Sequence, residues 1–110
     1  MTISNQLPQP VYAGTAITAQ VEFYDGLPPQ LGGSGVLTDP STIVLKFLNA
    51  GTETVWTYGG TGSIVRSSTG VYSAPINTSG MNGPLTIEWI GEGNVAVVNV
   101  QSVNIVTPPL

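Results

Sequence analysis

The sequence predicts an all-β sandwich built from six or seven short antiparallel strands, and three observations support this class. Apolar and polar residues alternate with a period of two in several segments. Turn-forming glycine, proline, asparagine and aspartate separate these segments at spacings of roughly 8 to 12 residues. No window shows the apolar spacing of a helix, and glycine and proline recur throughout the 110 residues. A chain of this length forms one domain.

The beginning of the chain is polar and interrupted by prolines. Residues 1–14 contain Pro8 and Pro10 and show no periodicity beyond Val11 and Tyr12. Proline disfavours both helix and central strand pairing, so we expect an extended N-terminal arm. The arm either lies on the edge of its own domain or reaches a neighbouring molecule. The sandwich is expected over residues 15–106, followed by a short tail at 107–110.

Alternation locates the strands within the sandwich. Trp89 follows Leu85 and Ile87 in parity and is expected in the core. In the last strand the apolar parity changes between Val100 and Val103, which predicts a bulge at Gln101 and Ser102. The predicted strands cover residues 15–24, 41–49, 52–58, 64–66, 71–74, 85–90 and 95–106. Both faces of 41–49 are largely apolar, which predicts a central strand or one whose outer face is covered.

The longest connection, residues 27–40, is rich in glycine and proline. Loops of this length in compact domains are usually functional or disordered. A phosphate-binding loop would need a lysine and a following helix, and the segment has neither. We therefore expect this connection to contact a partner or to be flexible.

The composition restricts the possible partners. Charged residues make up only 7% of the chain, against roughly 25% in an ordinary soluble domain. Such a surface has little electrostatic protection against association, so we expect a homo-oligomer or a subunit held by other proteins. Lys46 and Arg66 are the only cations and the net charge is -4, which argues against nucleic acid. No apolar run approaches the roughly 20 residues that span a bilayer, so no membrane partner is expected.

The residue types required by most catalytic and metal sites are missing. The chain has no cysteine and no histidine, so the commonest general base, metal ligand and thiol nucleophile are lost. The six carboxylates stand apart in sequence, and we expect no enzyme, no catalytic residue, no resident metal and no cofactor. Asp25 and Asp39 bracket the long connection and leave calcium as an alternative, although turn formation explains both. A platform on which sugars stack is a second alternative, and its candidate residues are Trp56, Tyr58, Trp89 and Tyr24.

The segment around Gly70 and Tyr72 carries a resemblance. A turn followed by Gly-x-Tyr resembles the tyrosine corner of immunoglobulin-like domains, in which the phenol bonds to nearby backbone. More widely, the chain resembles the small immunoglobulin-like proteins of the virion-structure modules of tailed bacteriophages. The shared residues are Val11, Gly14, Phe23, Asp25, the segment 39–43 with Leu45, the segments 56–59, 64–66 and 68–72, and Trp89, Gly91 and Gly93.

The resemblance implies an immunoglobulin-like β-sandwich of about seven antiparallel strands and a non-enzymatic role in a phage virion. The expected protein decorates or cements the capsid, binding the outer capsid or sister subunits; a neck or tail component and a carbohydrate-binding module are the alternatives. It would be made in the host cytoplasm and located in the virion. Gly70 and Tyr72 are the expected structural corner. The expected partner contacts are Pro8, Pro10, Val11, Tyr12, Pro28, Pro29, Leu31, Trp56 and Tyr58.

Overall fold

Ten strands in two sheets form the part of the chain that the computed structural model describes, residues 2–4, 11–93 and 95–107. The connection between the third and fourth strands contains a single turn of 3-10 helix, Pro29–Leu31. The strands are β1 (Thr2–Ser4), β2 (Val11–Tyr12), β3 (Ala16–Asp25), β4 (Val36–Leu37), β5 (Thr42–Asn49), β6 (Thr52–Thr57), β7 (Val65–Ser68), β8 (Val71–Asn77), β9 (Gly83–Glu92) and β10 (Val97–Val106).

The two sheets form the sandwich that the alternation predicted. The first sheet has the order β1-β3-β8-β7, with β4 paired to β3, and the second has the order β2-β10-β9-β5-β6. The prediction of an all-β sandwich is confirmed. The described residues contain more than seven strands, and β2 pairs with β10 in parallel. The strands β1, β2 and β4 are two or three residues long, too short to show an alternating pattern.

The described parts of the N-terminal arm lie on their own domain. Strand β1 pairs with β3 in the first sheet, and β2 pairs with β10 in the second, so the chain passes from one sheet to the other. Pro8 and Pro10 lie outside the described residues. Thr78, which is fully buried, holds the connection between β2 and β3: its hydroxyl donates to the Thr15 carbonyl at 2.6 Å and accepts from the Gly14 amide at 3.0 Å.

The core between the sheets follows from the alternation of the long strands. Strand β3 buries Ile17, Ala19, Val21 and Phe23 on one face, as predicted. Trp89 is also fully buried, which confirms its expected place in the core. Each large apolar side chain buried in this way contributes roughly 1.5–3 kcal/mol. The largest fully buried side chains are Trp89, Tyr72, Phe23, Ile43, Leu45, Ile76, Leu85, Ile87 and Ile105.

The predicted bulge in the last strand is wrong. Strand β10 pairs with β9 in continuous register, with no shift at Gln101 and Ser102. The inward position is taken by Gln101 itself, whose Nε2 donates to the Gln20 carbonyl of the first sheet at 2.9 Å. Val98 and Val100 point outward and are each 58% exposed. The apolar parity changes along β10 because the valines lie on the outer face at one end and the inner face at the other.

The long connection after β3 is folded back on itself. The Gly35 amide donates to the Leu27 carbonyl at 2.8 Å, and the Gly33 amide donates to the Pro28 carbonyl at 3.1 Å. A Cβ atom on Gly35 would lie 2.7 Å from the Leu27 carbonyl oxygen. The glycines therefore allow close backbone packing around Leu27, and β4 then returns to pair with the end of β3.

Candidate interaction surface

Asp39, at the end of the long connection, is the centre of a polar cluster. Its Oδ1 accepts from the Gly70 amide at 2.7 Å and from the Tyr72 hydroxyl at 2.9 Å. The Arg66 guanidinium donates to both carboxylate oxygens, with Nη2 at 3.0 Å from Oδ2. Arg66 Nη2 also donates to the Thr69 hydroxyl at 3.0 Å. The carboxylate thus joins the connection to the hairpin formed by β7 and β8.

Gly70 occupies the turn of that hairpin, where two constraints favour glycine. Its φ is +74°, in the left-handed region. A Cβ atom would lie 2.8 Å from both the Phe23 carbonyl oxygen and the Thr38 amide nitrogen. The Gly70 carbonyl accepts from the Phe23 amide at 2.8 Å. The turn is therefore packed against the backbone of β3 and of the connection.

Tyr72 is buried between aromatic neighbours, and its hydroxyl faces Asp39. The Tyr72 ring contacts Phe23 and Tyr58 edge to face, with centroid separations of 5.9 and 5.2 Å. The acceptor of the hydroxyl differs from that of the expected tyrosine corner: it is the side chain of Asp39, 33 residues earlier, and not nearby backbone. Tyr72 therefore links a hairpin to a distant loop.

The cluster fixes the charge of its members over a wide pH range. Hydrogen bonds from Arg66 and from the Gly70 amide lower the pKa of Asp39 to about 2. Burial, reinforced by the hydrogen bond to Asp39, raises the pKa of Tyr72 to about 12. Near neutral pH the carboxylate stays ionised and the phenol stays neutral, so neither is poised to exchange a proton. The arrangement is suited to holding the connection in place.

We expect Tyr72→Phe to lower the free energy of unfolding by about 1 kcal/mol, because the buried hydroxyl loses one hydrogen bond and little else changes. Urea denaturation followed by circular dichroism measures the change. Tyr58→Phe is the matched control, since the Tyr58 side chain is 42% exposed and its ring contact with Tyr72 is kept. Equal losses in the two variants would contradict a specific role for the Tyr72 hydroxyl.

Trp56 and Tyr58, considered above as a sugar platform, pack against their own domain. The Trp56 ring contacts Phe47 edge to face at 5.0 Å, and Gly62 lies directly against the same indole. Tyr58 lies against Tyr72. Both aromatic rings thus cover the margin of the core, which leaves less of their surface open for stacking.

We expect Trp56→Ala to lower the free energy of unfolding by about 2 kcal/mol, somewhat less than a fully buried tryptophan would, because the side chain is partly buried against Phe47. Urea denaturation gives the value. Thr57→Ala, an exposed neighbour in β6, should change stability by less than about 0.5 kcal/mol. A Trp56 variant as stable as the wild type would show that this ring does not support the core.

The other expected partner contacts do not all reach the surface. Val11 is 5% exposed and belongs to the core, and Pro28 is also buried, so neither offers its side chain to a partner. This corrects their assignment. Tyr12 and Leu31 are more than half exposed, and Pro29 is also exposed. Tyr12 lies on the edge of the second sheet, whereas Pro29 and Leu31 lie in the connection that returns to the first.

A group of aliphatic residues that the partner predictions missed lies on the outer face of the second sheet. Residues of β10, β9, β5 and β6 form this face. At its centre, Lys46 and Glu88 are the only charged residues. Strand β5 lies inside this sheet, between β9 and β6. The two-sided apolarity of residues 41–49 thus reflects a central strand whose outer face no described strand covers. The aliphatic residues of the face are Val44, Leu48, Val55, Ile90, Val98 and Val100.

The corresponding face of the first sheet is polar along β3 and the adjoining part of β8, although Val65 and Val71 also lie on it. The outward positions of β3 include Thr18, Gln20 and Glu22, and β8 adds Ser73 and Pro75 beside them. The two faces of the sandwich therefore differ in character. The outer face of the second sheet is the candidate interaction surface.

The structure also bears on metal and membrane binding. The described residues contain no group of three or more carboxylates that could hold a metal ion. Asp39 is engaged by Arg66, Gly70 and Tyr72. No helix in the same part of the chain is long and apolar enough to cross a membrane.

Comparison with protein-family models, with curated proteins and with solved structures returned no match to this chain.

Proposed function

We propose that this chain is a non-enzymatic structural protein of a tailed-bacteriophage virion, acting as a capsid decoration or cement protein. The observation that carries the proposal is the aliphatic outer face of the second sheet on a chain with only 7% charged residues. A surface of this kind is stable when it is covered by another protein. The partners would be the outer capsid or sister subunits, and the resemblance of the sequence to virion proteins supplies the setting.

We propose further that the sandwich is immunoglobulin-like. The order β1-β3-β8-β7 corresponds to strands A, B, E and D, and β10-β9-β5-β6 corresponds to G, F, C and C′. The buried Trp89 does not lie on the strand that corresponds to C, where antibody domains carry theirs. The strand order is thus the argument for the wider class and not for an antibody domain.

A structural role fits the properties of the surface. Decoration and cement proteins function by packing against neighbouring subunits. An apolar sheet face offers a rigid surface for such packing. The one polar cluster described above uses its ionised carboxylate to fix the connection after β3. The sandwich would then serve as a rigid spacer that presents its second sheet.

Quantitative mass spectrometry of purified virions tests the proposal. In particles of the phage that encodes this chain, we expect the protein at a copy number within about tenfold of the major capsid protein. An abundant cytoplasmic host protein, quantified in the same sample, measures carry-over from the lysate. Detection only at the carry-over level would overturn the proposal, and cryo-electron microscopy of the same particles would place the sandwich on the capsid if it holds.

A further inference from the structure

We infer that the outer face of the second sheet is a two-fold interface between two copies of this chain. The inference deepens the proposed function and rests on it only in taking sister subunits as partners. It is carried by the pattern of charged and apolar residues on the face itself. That pattern is complementary to its own copy.

Four side chains form a row across the middle of the face. The strand register places Val100 beside Glu88, Glu88 beside Lys46, and Lys46 beside Val55. Read across β10, β9, β5 and β6, the row is apolar, negative, positive, apolar. Within the described residues neither Lys46 nor Glu88 is in an ion pair, whereas Arg66 is paired with Asp39. We call these four residues the central row.

A two-fold axis parallel to the strands, midway between β9 and β5, makes the central row complementary to itself. The axis exchanges β9 with β5 and β10 with β6, so Glu88 of each copy faces Lys46 of the other. Val100 then faces Val55. Each charge gains a partner of opposite sign, and the four charges alternate around a square in which like charges occupy the diagonals.

The neighbouring rows also fit this axis. On one side, Ile90 faces Val44 of the other copy, and Val98 faces the methyl-bearing Thr57. On the other side, Thr86 faces Leu48. Because of their twist, two packed sheets are rotated by about 30° relative to each other. Residues of the two copies therefore face each other most directly at the central row.

Two further carboxylates belong to this face, and the same axis keeps them apart from other negative charges. Glu53 falls opposite Ser102 of the other copy, and Glu92 falls opposite Thr42. No carboxylate therefore meets another carboxylate across the interface.

The charges also select this axis over the other face-to-face arrangement. A two-fold axis across the strands, along the central row, would place Lys46 on Lys46 and Glu88 on Glu88. Like charges brought together in a desolvated interface cost several kcal/mol. The pattern therefore favours one relative orientation of the two copies.

The size of the face predicts a weak dimer. Four strands spaced about 4.8 Å apart, with up to ten residues rising about 3.4 Å each, give a footprint on the order of 600 Å² per copy. That area lies at the low end for specific interfaces, where affinities are often micromolar. Dimers would then form readily only where copies are concentrated, as on the surface of a particle.

Sedimentation equilibrium of purified full-length protein, at concentrations from about 1 to 500 μM, tests the interface away from any virion. The wild type should pass from monomer to dimer over this range. Glu88→Lys and Lys46→Glu should each weaken self-association by about a hundredfold, because each places like charges across the axis. An equimolar mixture of the two variants should form a heterodimer at least as tight as the wild-type dimer. Asp25→Lys, in β3 of the first sheet, changes the net charge as Glu88→Lys does and should leave the dimer intact.

Several outcomes would overturn the interface. The interface is wrong if the wild type is monomeric up to 500 μM. It is also wrong if the single variants associate as well as the wild type. A mixture of the two variants that does not associate, although thermal melts show that both are folded, would likewise overturn the interface. If one variant does not fold, Val100→Asp takes its place as the disrupting change, and retention of the dimer in that variant overturns the interface. The virion proposal fails separately, by absence of the chain from purified particles.

Discussion

Gly70→Ala is expected to lower the free energy of unfolding by about 4 kcal/mol. The left-handed backbone at this position penalises a side chain by about 1–2 kcal/mol. The new methyl group would also lie 2.8 Å from the Phe23 carbonyl oxygen and the Thr38 amide nitrogen. Those atoms are hydrogen-bonded to each other at 2.9 Å, so they cannot both move aside without cost.

A second glycine separates the two contributions. Gly80 has a φ of +79°, but a Cβ atom there would have no atom within 4 Å. Gly80→Ala should therefore cost only about 1 kcal/mol, from the backbone conformation alone. Urea denaturation of both variants gives the difference. Similar losses at the two positions would show that the close approach at Gly70 contributes little.

Asp39→Ala is expected to cost about 3 kcal/mol. The change leaves the buried Gly70 amide and Tyr72 hydroxyl without their acceptor, and each unsatisfied group costs about 1–3 kcal/mol. Loss of the Arg66 contact adds less, because that pair is partly exposed to solvent. Arg66→Gln is accordingly the milder control. If it destabilised the protein as much as Asp39→Ala, the ion pair and not the two buried donors would be the main contribution.

The Asp39 carboxylate also makes the stability of the fold depend on pH. The pKa of Asp39 is lowered from 3.8 to about 2 in the folded chain, so its contribution is present in full above pH 4. This contribution to stability is lost as the pH falls through 2, because the Asp39 carboxylate binds a proton at a higher pH in the unfolded state than in the folded state. Urea midpoints measured between pH 5 and pH 2 should fall more for the wild type than for Asp39→Asn. Parallel curves for the two proteins would contradict the assignment.

The sequence was most informative where strands are long and one face is buried. Strand β3 could be predicted because Ile17, Ala19, Val21 and Phe23 alternate with polar residues over a whole strand. Trp89 could be placed in the core for the same reason. The short edge strands could not be predicted, since two or three residues pair through backbone groups that every sequence possesses.

The last strand shows how parity can mislead. Gln101 occupies an inward position because its amide reaches the Gln20 carbonyl of the opposite sheet, 81 residues earlier in the chain. No sequence feature near Gln101 predicts that hydrogen bond. From the sequence alone, the outward Val98 and Val100 therefore predict a change of register that the strand does not make.

The candidate surface could be predicted only in part. The largely apolar character of both faces of β5 is visible in residues 41–49, and it predicts either a central strand or a covered outer face. The alignment of Val100 and Val55 with that strand depends on the register of three strand pairs, which the sequence does not specify. The sequence around Asp39 indicates only a turn before Pro40, since Arg66, Gly70 and Tyr72, which bond to its carboxylate, lie 27 to 33 residues away.

The parallel pairing of β2 with β10 has a mechanical consequence. Val11 lies beside Ile105 and Tyr12 beside Val106, and the Ala13 amide adds a bond to the Val106 carbonyl at 2.9 Å. Tension applied to the chain before β2 and after β10 pulls two parallel strands in opposite directions along their length. The bonds between them are then loaded together in shear and do not open one after another, so this short seam would resist extension before the other strand pairs of the second sheet are loaded.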